Sequence, residues 1–253
     1  MKILATYNIK GGVGKTASAV NLAWMAARDG IPTLVWDLDP QAAATYYFRV
    51  KPKIKGGGRG LVSGKHALED LIKGTDFENL DLLPADFSYR HLDLLLDEKK
   101  KPTRQLRKLL KPLGVEYGCI ILDCPPSISL VSEAVFRAAD ALLVPVIPTT
   151  LSLLTLQQLV KFREDQAISS LHILPFFSMV DRRKKLHQEI VAELPRDYPH
   201  MLLSEIPYAS EVERMGIYRA PLGSYAASSR PALAYAALWQ EIRARLEGRV
   251  AWE

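Results

Sequence analysis

Short apolar runs alternate along the chain with longer stretches whose apolar residues recur at three- and four-residue spacing. The runs predict strands over 2–7, 33–37, 80–84, 119–123, 141–146, 172–178 and 202–206. The amphipathic stretches predict helices over 15–29, 88–97, 103–111, 130–138, 152–165, 184–193 and 230–247. Strands separated by helices imply crossover connections and a mostly parallel sheet. "GCIILD" and "ALLVPV" are apolar throughout, as strands covered on both faces require. The expected fold class is α/β, a doubly wound and mostly parallel sheet with helices on both faces. Without an internal repeat or a boundary signal, the expectation is a single domain over 1–253.

One segment breaks the rhythm. "RVKPKIKGGGRGLVSGK", residues 49–65, carries five glycines and six basic residues with almost no apolar periodicity. It reads as a flexible, basic, glycine-rich surface loop. A second basic stretch, "KKKPTRQLRKLLK", places seven basic residues within 99–111. Its spacing predicts an exposed helix face opposite Leu106, Leu109 and Leu110.

Composition narrows the function classes. With 253 residues, 48% of them apolar, the chain can bury one sizeable core. No apolar run approaches the roughly 18 residues of a membrane span. Met1 and Lys2 lead straight into the first strand, which leaves no room for a signal peptide, so a cytoplasmic protein is expected. Two cysteines, Cys119 and Cys124, are too few for a disulfide scaffold and sit in no cluster-binding motif. The formal charge is +5, from 33 Lys and Arg against 28 Asp and Glu. That permits nucleic acid or anionic lipid as a partner without demanding either.

The chemistry is concentrated in "YNIKGGVGKTA", residues 7–17. Strand, glycine-rich loop and helix follow one another, as a phosphate-binding loop requires. Gly11, Gly12 and Gly14 let successive N–H groups converge beside Val13, and the helix start at Thr16–Ala17 adds its positive dipole end. Lys15 would reach the β- and γ-phosphates of a nucleotide, and the Thr16 hydroxyl would ligate Mg²⁺. The usual pattern has a glycine where Ile9 stands, and a second lysine, Lys10, follows. "LVWDLDPQ" places Asp37 and Asp39 at the end of the second strand, and "IILDCPPS" ends a buried strand on Asp123. Carboxylates at the carboxyl ends of parallel strands after a phosphate loop point to a metal and water site.

"KGGVGKT", "DLDPQA" and "ILDCPPS", in this order and spacing, resemble the ParA/Soj partition ATPases of the MinD/ParA deviant Walker A class of P-loop NTPases. The resemblance runs on through "ADALLVPVIPT", "FSMVDRRKKLHQEI" and "LSEIPYASEVERMG" and covers nearly the whole chain. Ala17 replaces a frequent second hydroxyl and Ile9 a commonly polar residue, and neither change removes an essential group. The resemblance implies ATP and Mg²⁺ as cofactors and a homodimer in the ATP state. Lys10 would reach across the dimer to the nucleotide of the other subunit, where a second cation offsets phosphate charge. Asp39 would orient the attacking water and Asp37 would lie nearer the Mg²⁺ shell, although the spacing alone does not decide which matters more. The adenine would lie near Met179 and Pro207.

The same resemblance implies a switch. The ATP dimer would bind nonspecific DNA on the nucleoid and be released when a ParB-like or other partner stimulates hydrolysis. Intrinsic activity would be weak, and the cargo could be a chromosome, a plasmid or a protein assembly. Arg182, Arg183, Lys184 and Lys185, with Arg214 and Arg219, are the candidate DNA contacts. The alternative is a MinD-like membrane-surface positioning ATPase, which needs a free basic amphipathic C-terminal helix. Here Trp239, Ile242 and Leu246 form a short stripe, and Glu241, Glu247 and Glu253 dilute the basic face. The stripe is expected to pack on the sheet, which points away from a membrane.

Overall fold

The computed structural model describes residues 1–248. The chain runs β1 (Lys2–Thr6), α1 (Lys15–Arg28), β2 (Thr33–Asp37), α2 (Ala43–Tyr47), α3 (Gly57–Ser63), β3 (Lys73–Gly74) and β4 (Leu80–Leu83). It continues through α4 (Leu92–Asp97), α5 (Gln105–Leu110), β5 (Cys119–Asp123), α6 (Leu130–Ala138), β6 (Ala141–Val146) and α7 (Thr150–Asp165). Next come β7 (His172–Val180), α8 (Lys185–Asp197), β8 (Leu202–Pro207), α9 (Ser210–Glu213), α10 (Met215–Tyr218), α11 (Leu222–Tyr225) and α12 (Arg230–Leu246). The strands form one sheet in the order β3-β4-β2-β5-β1-β6-β7-β8. Every pairing is parallel except that of β3 with β4.

All seven expected strands are present. The eighth, β3, has two exposed residues, too few for an apolar pattern to show. The expected helix over 103–111 is cut into α5 and two flanking 3-10 turns, Pro102–Arg104 and Lys111–Val115. Pro102 and Pro112 bracket it, and a proline tolerates only the first positions of a helix. The first half of the expected helix over 88–97 is likewise a 3-10 turn, Phe87–His91.

Alternate residues of the central strands feed two cores, as the period of a strand dictates. Ile120, Leu122, Leu142 and Val144 face the core beneath α4 to α8. Leu4, Ile121 and Leu143 face the core beneath α1 and α12. The C-terminal stripe is part of the second core. Trp239 and Ile242 are buried and Leu246 packs against them, as expected, while Glu253 lies outside the described residues. Trp239 Nε1 and Arg243 both donate to the Asp29 carboxylate, at 2.9 and 3.0 Å, which ties α12 to the end of α1. Among the described residues no helix is long and apolar enough to cross a membrane.

At the outer edge of the sheet, Glu241 of α12 accepts the N–H groups of Leu203 and Ser204 of β8 at 2.6 and 2.8 Å, and the Ser204 hydroxyl as well. Two N–H groups of β8, where its register against β7 shifts, are therefore held by a carboxylate of its own chain.

The segment 49–65, expected as a loop, differs from that expectation. It contains α3, and Ile54, Leu61 and Val62 are buried. Asp86 accepts the Ile54 N–H at 3.0 Å, and the Ser88 hydroxyl accepts the Gly58 N–H at 2.7 Å. Gly57 has φ 56°, and a Cβ there would stand 2.7 Å from the Ser88 hydroxyl. Glycines give no apolar periodicity, and the anchors lie some thirty residues away in sequence. The basic stretch 99–111 follows its expectation, with Leu106 and Leu110 buried and Leu109 packed against them.

Replacing Asp29 with Ala removes both hydrogen bonds from α12 to the end of α1, and Trp239 Nε1 is then left inside without an acceptor. Urea denaturation should show a loss of about 1–3 kcal/mol.

Candidate phosphate-binding site

The sheet reverses its winding at β1, with β5 and β2 on one side and β6 on the other. A crevice opens at such a switch point, beyond the carboxyl ends of the strands. The loop 8–14 leaves β1 there and enters α1. Gly12 has φ 72° and Gly14 has φ 94°, a left-handed conformation that glycine adopts without steric cost. A Cβ on Gly14 would stand 2.9 Å from the Ser178 hydroxyl. That hydroxyl donates to the Val13 carbonyl at 2.8 Å, and Asn8 Nδ2 donates to the Pro145 carbonyl at 2.9 Å. The loop is thus fastened to β6 and β7 across the crevice.

Lys15 is buried, and its Nζ donates to the Lys10 carbonyl at 2.9 Å. Burial pulls its ammonium below its ordinary value, and the nearby Asp123 carboxylate opposes that shift. Asp123 and Asp37 are register neighbours on adjacent strands, and Thr6 is the partner of Asp123 on the other side. Both carboxylates are fully buried. The Thr6 hydroxyl donates to Asp123 Oδ1 at 3.2 Å. Among the described residues no hydrogen bond reaches Asp123 Oδ2, although the Thr16 hydroxyl stands beside the carboxylate. Burial, and then the neighbouring Asp37, drive the Asp123 carboxyl well above the usual range.

Asp37 is better satisfied. Its Oδ2 accepts from the Thr45 N–H at 2.8 Å and the Thr45 hydroxyl at 2.7 Å, and its Oδ1 from the Asp39 N–H at 3.2 Å. Burial still pushes it up to about 6. Its oxygens hold α2 in place, which the sequence reading did not anticipate.

A cleft of about 370 Å³ lies over this floor. It brings together Gly11, Gly12, Gly14, Lys15, Thr16, Ala17 and Asp39 with Met179 and Pro207. Val13 is buried within the loop, Asp37 and Asp123 lie beneath, and Lys10 is exposed at the rim outside the cleft lining. The basic candidates stand elsewhere, each against its own surroundings. Arg182 pairs with Glu205, Arg183 with Asp181 and Lys185 with Glu189, at 3.2, 2.9 and 3.6 Å. Lys184 is the exposed residue before α8. Arg214 lies over the Tyr218 ring and Arg219 over that of Tyr46.

Sequence reasoning missed Asn8, Thr45, Tyr47, Ser178 and Tyr235. Tyr47 and Tyr235 line the cleft, and the Tyr235 hydroxyl lies 3.3 Å from that of Ser18 on α1. Ser178 could have been flagged as a hydroxyl ending an otherwise apolar strand. Tyr235 is 217 positions from Ser18 and carries no local signal.

The buried lysine, glycine cradle and paired strand-end carboxylates define a P-loop nucleotide-binding protein, and known proteins agree. The family model described as an AAA domain matches residues 1–171. The chromosome-partitioning ATPase Soj of Treponema pallidum is 31% identical, over 96% of this chain and 98% of that protein. Cobyrinic acid a,c-diamide synthase of Mycobacterium smegmatis with bound ADP and magnesium superposes with a TM-score of 0.82 at 23% identity, covering 99% and 97% of the two chains. A McdA–ATP complex from Cyanothece gives 0.83 at 19%, covering 96% of each. The chain belongs to the ParA/Soj-type ATPases of the MinD/ParA deviant Walker A family.

The raised carboxyl of Asp37 sets a pH dependence. Between about pH 4 and about pH 6 the unfolded chain ionises this group while the folded chain keeps its proton. Without nucleotide, stability should therefore fall as pH rises through that window and the contribution should level off above it. Urea titrations across the window should show a smaller fall for Asp37→Asn.

Proposed function

We propose that the chain is an ATP-dependent dimerising ATPase that serves as a partition or positioning switch. One observation carries the reading: a fully buried carboxylate, Asp123, whose Oδ2 receives no hydrogen bond among the described residues, lies beneath a glycine cradle that also holds Lys15 and Thr16. A buried anionic oxygen without a partner is costly. A hydrated Mg²⁺ between Thr16 and Asp123 would satisfy it and, when bound, would offset phosphate charge. Among the described residues no cluster of three or more His, Cys, Asp or Glu suits a metal, so the ion would be held jointly with the phosphates.

The residues then divide the work. Lys15 and the loop N–H groups would bind the phosphates, with the adenine toward Met179 and Pro207. Asp39 lines the cleft, and its Oδ1 accepts the Gln41 N–H at 2.9 Å. It would orient the attacking water, while Asp37 accepts its backbone N–H at 3.2 Å from below. The Lys10 N–H is pinned to Asn8 Oδ1 at 2.9 Å, and its exposed side chain suits a nucleotide held by a second copy. Supplying that cation in trans makes dimerisation depend on ATP.

In the ATP dimer, Arg182–Lys185, Arg214 and Arg219 would contact nonspecific DNA in the cytoplasm, on the nucleoid. The exposed ion pairs of Arg182, Arg183 and Lys185 are weak in water, so phosphates can replace the carboxylates. A ParB-like or other partner would stimulate hydrolysis and release. The membrane reading is disfavoured by the burial of Trp239 and Ile242.

Two measurements test this reading. With a nonhydrolysable ATP analogue and Mg²⁺, light scattering should give a dimer for the natural chain. Lys10→Ala should bind the analogue yet stay monomeric, and Lys15→Gln should not bind it. Anisotropy of random duplex DNA should rise more with the analogue than with ADP. Arg183→Ala should weaken the binding about threefold to tenfold. A dimer that forms without nucleotide, or equal binding with ADP, would refute the switch.

A further inference from the structure

The two basic segments that the nucleotide site does not use meet in space. One cleft, of about 480 Å³, lies between residues 62–69 and residues of the 99–112 stretch, among them Lys99, Lys100 and Lys108. A neighbouring cleft, of about 510 Å³, is lined by Arg104, Arg107, Lys108, Lys111 and Arg137 together with Ser169 and Ser170. Lys108 belongs to both, so α5 is a ridge with a basic trough on either side. Together the troughs carry Lys99, Lys100, Arg104, Arg107, Lys108, Lys111 and Arg137, against a single acid, Glu69. None of these seven cations makes an ion pair among the described residues. Like charges gathered on one short ridge repel one another, and the trough linings set only Glu69 against them.

Connectivity places this surface. Arg137 ends α6 just before β6, Ser169 and Ser170 lie between α7 and β7, and Lys111 leads toward β5. All three precede strands, so the surface lies at the amino edge of the sheet. The nucleotide cleft is at the carboxyl edge. A ligand at one cannot displace a ligand at the other.

We infer that the α5 ridge and its two troughs are a nucleic-acid surface that grips the phosphodiester backbone of a duplex independently of nucleotide state. The extent favours a polymer, because a small anion needs one trough and not two. The chemistry favours phosphate: the trough lined by Arg104, Arg107, Lys108, Lys111 and Arg137 adds two serine hydroxyls and has no acid in its lining. The contact is distinct from the ATP-gated one proposed above and does not rest on it.

The test is anisotropy of a labelled random-sequence duplex with the full chain, without nucleotide, across a salt series. The natural chain should bind at low salt, with affinity falling steeply as salt rises. Arg107→Gln, Lys108→Gln and Lys111→Gln combined should weaken binding at least tenfold and make the log–log salt slope shallower by about 2–3, near 0.9 for each lost contact. The three positions are exposed, and thermal melts would confirm folding. Arg104→Glu, tested alone, should weaken binding in the same direction. Absence of nucleotide-free binding, or binding indifferent to the triple variant, overturns the inference. Binding seen only with the ATP analogue, lost in Arg183→Ala and kept in the triple variant, overturns it and leaves the switch standing. Nucleotide-free binding that the analogue does not strengthen supports this surface and sinks the switch. Phosphatidylglycerol vesicles bound in place of the duplex would also overturn it, in favour of a membrane.

Discussion

Two carboxylates side by side in a dry place are the constraint on which this structure turns. Asp37 and Asp123 end neighbouring parallel strands in register, and neither is exposed to solvent. Desolvation and mutual repulsion both act against them. The surroundings offset this unequally. Thr45 and the backbone of Asp39 satisfy Asp37, while Asp123 accepts from Thr6 on one oxygen and, among the described residues, has no hydrogen bond on the other, with the Thr16 hydroxyl beside it. Lys15 contributes positive charge to the same pocket, yet it too is buried and disfavoured as an ion. The unliganded floor is therefore under electrostatic tension, and divalent cation with phosphate is the chemistry that relieves it.

The tension is wired outward. Thr45, whose hydroxyl donates to Asp37, accepts the Ala85 N–H at 2.9 Å. The next residue, Asp86, holds Ile54 and Ser88, and Ser88 holds Gly58. Consecutive hydrogen bonds thus join the floor of the nucleotide cleft to α2, to the end of β4 and to the glycine-rich segment around α3. That segment is where one wall of the basic ridge begins.

Much of this was legible in residues alone. The central strands read as unbroken apolar runs because both faces are covered, and the loop 8–16 reads as a phosphate cradle because glycine, lysine and threonine stand at fixed offsets. Asp123 was visible as an acid closing an apolar strand. What stayed hidden is of another kind. Gly56, Gly57 and Gly58 carry no apolar side chain, so α3 left no period to detect. The role of Asp37 as the anchor of α2 depends on Thr45, and threonine in that position reads as ordinary surface polarity. Ser178 and Tyr235 reach the cleft only because β7 and α12 are folded over it. The meeting of the two basic segments around α5 is a fact of topology that neither segment announces.

The carboxylate of Glu241 on the rim of β8 has a consequence for assembly. A sheet whose last strand exposes free N–H groups can be extended by any passing strand. Here Glu241 engages two of those N–H groups, and the strand at the opposite edge has two residues. Both edges therefore offer an incoming strand little backbone to pair with. Copies of this chain gathered at high local density are steered toward recognition through side chains and shared ligands rather than through strand addition.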